Sequence, residues 1–167
     1  MLYHDDETET FWSQMTGEAV MGPLSGERLR WLPSEVTTWK KWKEAHPETT
    51  VLKPPFPSEH YRGINRSYDR YRATDELMFP KGPPRIDPKY PKKSAVTILR
   101  RPDGHRCYPH ALLKEGRNAD GALVVVKDGA SVRVLDARGA ELPTMTGFWF
   151  AWCQFYPDGT VYEPPDE

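Results

Sequence analysis

The sequence predicts an α+β fold of mostly short antiparallel strands, with two Trp-x-x-Trp helices in a single, internally duplicated, pseudo-symmetric domain spanning 1–167. Three observations carry that expectation. The window TTWKKWKEAHPETTVLKPP, from Thr37, returns 110 positions later as GFWFAWCQFYPDGTVYEPP, from Gly147, with no gap. β-branched runs flank the turn-forming sequences Pro-Asp-Gly and Lys-Asp-Gly-Ala. Seventeen prolines and twelve glycines enforce short elements with much loop. The repeat-like units end at 32–55 and 142–165, joined by a Pro/Tyr/Arg-rich loop at about 53–95. A chain of this length buries roughly 70% of its unfolded surface, and 38% hydrophobic residues suffice for a core.

Each element has its own local signal. Leu2-Tyr3-His4 leads into DDETETFWSQMTGEAVMGPLSGERLRWLP, where apolar and polar residues alternate between Gly17, Gly22 and Gly26, so short strands and bends are expected. Val36, Trp39 and Trp42 recur every three residues, which puts both tryptophans on one helical face with Lys40, Lys41, Lys43 and Glu44 elsewhere. Pro47 disfavours helical geometry at His46 and ends that helix, and an extended stretch, Thr50 to Leu52, leaves it.

Tyr61, Tyr68, Tyr71 and Phe79 supply apolar area that a free linker does not need, so the 53–95 segment is expected as a loop laid over the core. From Ala95, AVTILRRPDGHRCYPHALL predicts a hairpin, then one helical turn ending at Gly116. A second hairpin follows in ALVVVKDGASVRVLDARG. The closing helix carries Phe148, Trp149, Phe150, Trp152 and Phe155 with almost no charge. It reads as buried on most sides, while its twin is a surface helix.

Net charge is −1, which gives no global case for nucleic acid or an acidic surface. Between His60 and Arg101, however, eleven Lys and Arg face four acids. Internal charge matching with the acidic ends explains this more simply than an anion-binding surface. No run of eighteen apolar residues occurs, so no membrane span is expected, and MLYHDDETET does not read as a secretory signal. The absence of a signal favours the cytoplasm.

His105-Arg106-Cys107-Tyr108-Pro109-His110 is the densest group of potential ligands. On a strand, His105 and Cys107 share a face, and a turn at Pro109 could return His110 to it. With Cys153 the set holds two imidazoles and two thiolates, which suits Zn²⁺ or Cu⁺. The competing readings are a Cys107–Cys153 disulfide and two buried, inert thiols, and the last is favoured. The tryptophan pairs fit an aromatic cage, but at helical spacing they are read as core. Tyr61-Arg62 through Tyr71-Arg72 interleaves bases and aromatics as single-strand nucleic-acid binders do. His4-Asp5-Asp6 and His46-Pro47 lack an accompanying nucleophile motif. No catalytic residue and no cofactor is assigned.

The string DDETETFWSQMTGEAVMGPLSGERL, TTWKKWKEAHPETTVL, Cys-Tyr-Pro-His and FWFAWCQFYPDGTVY resembles the domain of unknown function 3179 family across nearly the whole chain. The resemblance implies bacterial or archaeal relatives, often exported, with no established activity to carry over. That export habit argues against nucleic acid as a partner. Family members usually have an upstream half with a Cys-Pro-x-Cys stretch, so this chain reads as starting in the middle of the family plan, with Leu2-Tyr3 as an exposed edge. The family usually has small, non-thiol residues where Cys107 and Cys153 stand.

These readings converge on a non-catalytic binding or assembly module. It would pair with a protein partner or a second copy through its N-terminal edge strand and the Tyr/Arg-rich loop, at Leu2, Tyr3, Tyr61, Arg62, Tyr68, Arg70, Tyr71 and Arg72. The alternative is a metal or redox protein using Cys107 and Cys153 with His105 and His110. A third reading is a decayed fragment of an enzyme.

Overall fold

A computed structural model describes residues 1–53, 55, 68–69, 71–78 and 86–165. Period-two alternation yields eleven strands in three sheets among these residues. The first sheet has the order β1 (Leu2–Asp5), β2 (Thr10–Ser13), β3 (Ala19–Met21), all antiparallel. Its return past Gly22 is close: φ is +111°, and a Cβ there would lie 2.7 Å from the Glu9 carbonyl oxygen.

The second sheet contains the first predicted hairpin, β4 (Ala95–Arg101) and β5 (Gly104–Pro109), turning at Pro102-Asp103-Gly104. Strand β10 (Thr144–Phe148) adds antiparallel to β4, and β11 (Thr160–Val161) adds parallel to β5. The third sheet is a meander of β6 (Gly116–Asp120), β7 (Leu123–Asp128), β8 (Ser131–Leu135) and β9 (Glu141–Leu142), with the second predicted hairpin at β7–β8.

Two helices lie 110 positions apart, α1 (Trp39–Ala45) and α2 (Trp149–Phe155). Both leave the helix at the residue before a proline, where steric conflict with the proline ring disfavours helical ψ. His46 stops at φ −130°, ψ 69° and Tyr156 at φ −135°, ψ 57°. The surroundings then diverge: α1 buries no residue, whereas Trp149, Ala151 and Trp152 of α2 are buried.

The second sheet is packed on both faces. Leu99 and Tyr108 point to the third sheet and meet Val125, Val132 and Val134, with Leu113 and Tyr162 closing that cluster. Val96, Ile98 and Cys107 point the other way, onto Trp149, Trp152 and Tyr156. Across the first layer, Arg106 of β5 forms a bidentate pair with Asp120 of β6, at 3.0 and 2.6 Å, and the Tyr108 hydroxyl donates to the same carboxylate at 2.8 Å. The pair is half-buried and well hydrogen-bonded, which is the condition under which a desolvated pair is tolerated.

Several expectations need correction. Thr50 to Leu52 forms no strand, because no strand among the described residues lies beside it. The helical turn after Pro109 covers only His110–Leu112 and Gly116 opens β6, since Leu113 already returns to extended geometry. Phe148 belongs to β10 and Val36 precedes α1. Trp39, read as core, is half exposed. Of the 53–95 loop, Tyr61, Arg62, Arg70 and Phe79 lie outside the described residues. The part described near Tyr71 contacts the far end of the same segment: Lys93 donates to the Tyr71 carbonyl and stands 3.6 Å over its ring, and Asp75 accepts from the Lys92 and Lys93 amides at 3.0 Å. Among the described residues, no helix is long and apolar enough to cross a membrane.

Candidate functional site

Strand β5 presents the predicted ligands, and its pleat decides which of them meet. Register pairs Arg100 with His105, Ile98 with Cys107 and Val96 with Pro109, so His105 and Cys107 share the face under α2, as alternation predicts. Cys153 of α2 packs against the same cluster, close enough to disfavour ionisation of Cys107. Both are free cysteines. Burial is the main force pushing both thiols up, Cys107 more strongly, so each is held as neutral thiol.

His110 goes elsewhere. The bend at Pro109 carries it to the opposite face, where its Nε2 shares a 2.8 Å hydrogen bond with the Thr97 hydroxyl, and Lys127 donates to its carbonyl at 3.2 Å. Burial, then the Lys127 charge, lowers its pKa. His105 instead lies against the Tyr156 ring at 4.3 Å. Among the described residues no group of three or more His, Cys, Asp or Glu side chains is placed to hold a metal ion. Sequence proximity suggested a shared shell; the two-faced strand separates it.

The cleft beside His105, about 270 Å³, was not anticipated from the sequence. Thr16, Glu18 and Arg28 from the first sheet's loops, Arg100 and His105 from the β4–β5 hairpin, and Tyr156 after α2 line it. Three of its charged side chains are engaged in contacts within the fold. Arg28 pairs with Glu18 at 2.6 Å, while Arg100 donates to the Thr16 carbonyl, reaches the Leu29 carbonyl at 3.4 Å and lies 4.3 Å over the Trp31 ring. Burial, Arg100 and Arg28 hold the His105 pKa below its ordinary value. Burial raises the Tyr156 phenol to about 12, and that phenol donates to the Met15 carbonyl. These bonds tie three chain segments together, and they are the cleft's evident work. No local motif could have revealed it, since its members run from Thr16 to Gly159, 143 positions apart.

The predicted partner surface is divided. Leu2 and Tyr3 sit on β1, which pairs with β2 on one side and has no partner strand among the described residues on the other. They are 53% and 51% exposed. The neighbouring turn is acidic but locally organised: His4 contacts Asp6 at 2.9 Å and Glu9 at 3.3 Å, and Thr8 donates to Asp5 at 2.6 Å. Tyr68 and Arg72 are exposed and Tyr71 is half-buried, whereas Tyr61, Arg62 and Arg70 lie outside the described residues.

A family model described as "Protein of unknown function (DUF3179)" matches residues 1–133. No curated protein and no solved structure matches the chain. The match takes in all three strands of the first sheet, α1, the β4–β5 hairpin and most of the third sheet, and stops short of α2. With four-fifths of its length matched, the chain belongs to this family of proteins of unknown function.

Proposed function

We propose that this protein is a non-catalytic binding or assembly module that pairs with another chain through its N-terminal edge strand. The observation that carries the reading is β1: a strand with one side unpaired among the described residues and a row of three exposed residues, Leu2, Tyr3 and His4. Unpaired strand N–H and C=O groups template the addition of a further strand, and adjacent apolar side chains supply specificity. The arginines of the His105 cleft support the same view, because Arg28 pairs with Glu18 and Arg100 with backbone carbonyls.

The rival reading, a metal or redox protein, draws support from Cys107 and Cys153 sharing one cluster. Their burial works against it, since the thiolate is both ligand and nucleophile.

A photo-crosslinking residue at position 3, in the protein expressed in its host, tests the edge reading. A discrete adduct is expected, absent when the same probe replaces Arg138 on an exposed turn. No adduct from position 3, or equal adducts from both, would sink it.

A further inference from the structure

The two Trp-x-x-Trp segments share more than sequence. Both helices span seven residues, and both are followed by the same pair of turn bonds: His46 N–H to the Trp42 carbonyl and Thr49 N–H to His46, against Tyr156 to Trp152 and Gly159 to Tyr156. In each, the capping ring lies on the second tryptophan, His46 on Trp42 at 4.0 Å and Tyr156 on Trp152 at 5.3 Å. What differs is the cover. Trp149 is 2% exposed and its counterpart Trp39 is 53% exposed; Tyr162 is 2% exposed and its counterpart Leu52 is 90% exposed. The first segment thus keeps apolar side chains at positions that the second one buries.

The second segment shows what such a unit packs on. Its helix lies on one face of an antiparallel hairpin, β4–β5, and its exit strand β11 adds in parallel to the hairpin's outer strand, with the Tyr162 N–H donating to the Cys107 carbonyl at 2.8 Å. A unit of this kind needs an antiparallel hairpin with an open outer edge. The β1–β2 hairpin is one, with exposed Leu2 and Tyr3 on its open strand. Its turn carries exposed Asp6, Glu7 and Glu9 beside half-buried Asp5, while exposed lysines of the α1 segment, Lys40, Lys41, Lys43 and Lys53, outnumber its exposed acids, Glu44 and Glu48. Apolar groups, backbone edge and charge are therefore complementary between the two surfaces.

We infer that the α1 segment of one chain docks on the β1–β2 hairpin of a second copy, with Thr50 to Leu52 adding in parallel along β1. Each chain carries both surfaces, so two reciprocal contacts close a two-fold dimer. This rests on the edge-strand reading above and names its partner.

Sedimentation of the full chain over a concentration series, with Leu52→Asp and Leu2→Asp variants, tests the inference. Both substituted positions are exposed, so the monomer fold is retained, which circular dichroism checks. The wild type is expected to dimerise and each variant to sediment as a monomer. An equimolar mixture of the two variants should recover dimer, because one contact is intact in the heterodimer. A wild type that stays monomeric overturns the inference while leaving a different partner for β1 open to the crosslinking test. A dimer lost with Leu2→Asp but kept with Leu52→Asp also overturns it, and preserves the edge reading. A dimer that survives both substitutions removes it and the edge reading as a self-association mode.

Discussion

Gly159 shows how one residue fixes a close approach. A Cβ at this position would fall well inside van der Waals contact with the indole ring of Trp152, which is itself buried against the second sheet. The ring is packed against Tyr156 and Cys107 of β5, which limits its room to move. Gly159→Ala is therefore expected to lower stability by roughly 1–3 kcal/mol, the usual cost of overpacking. A urea midpoint unchanged from wild type would show that the helix shifts freely. The equivalent first-segment residue is Thr49, whose side chain instead accepts from the Trp42 indole N–H at 2.9 Å. Local sequence does mark Gly159 as a turn residue after Pro157-Asp158, but not as the floor under a tryptophan.

At the scale of elements, the two helices make a controlled comparison. Their lengths, C-caps and ring contacts are alike, but only α1 has a side-chain N-cap, Thr38 accepting from the Lys41 N–H, so burial rather than local capping favours α2. Trp149→Ala is expected to cost about 3–5 kcal/mol, as for other buried aromatic truncations. It also removes the indole N–H that donates to the Asp87 carbonyl at 2.7 Å. Trp39→Ala in the monomer should cost under about 1 kcal/mol, since the side chain is half exposed. Chemical denaturation at low protein concentration compares them, and equal costs would contradict the packing described here. The hairpins were legible because Pro-Asp-Gly and Lys-Asp-Gly-Ala act within a few residues. The Thr50–Leu52 strand was misread because an isolated strand has no internal hydrogen bonds; β-branched residues state a preference that only a neighbour can satisfy.

For the whole molecule, two half-buried histidines on opposite faces of the second sheet link stability to pH. Both folded pKa values lie below the ordinary histidine value of 6.5, His105 through burial, Arg100 and Arg28, with Glu18 opposing, and His110 through burial and Lys127. The unfolded chain therefore binds more protons just below 6.5. Stability is full above that value, falls as pH drops through it, and levels off once pH passes below the depressed folded values. Asp120 acts in a lower window. Burial alone would raise its carboxyl, but hydrogen bonds from Arg106 and Tyr108, with the charges of Arg106 and Arg101, hold it below 3.8. Its contribution is present above the unfolded value and is lost as pH falls through the folded one. Urea midpoints should decline from about pH 7 to pH 5, and His110→Gln should reduce the slope. Midpoints that stay level or rise over that range would show that neither imidazole is protected in the native state.

The sequence by itself determined the local grammar: the α+β class, the two hairpins, two helices stopped by proline, the shared face of His105 and Cys107, and the family. Each follows from backbone sterics or side-chain period acting over a few residues. Tertiary structure alone decided which Trp-x-x-Trp helix is covered, that His110 leaves the Cys107 face, and that Arg100, Arg28 and Tyr156 meet beside His105. Burial depends on which surfaces meet across long stretches of chain, and two segments with nearly the same local code can take opposite places because only one has a sheet against its tryptophans.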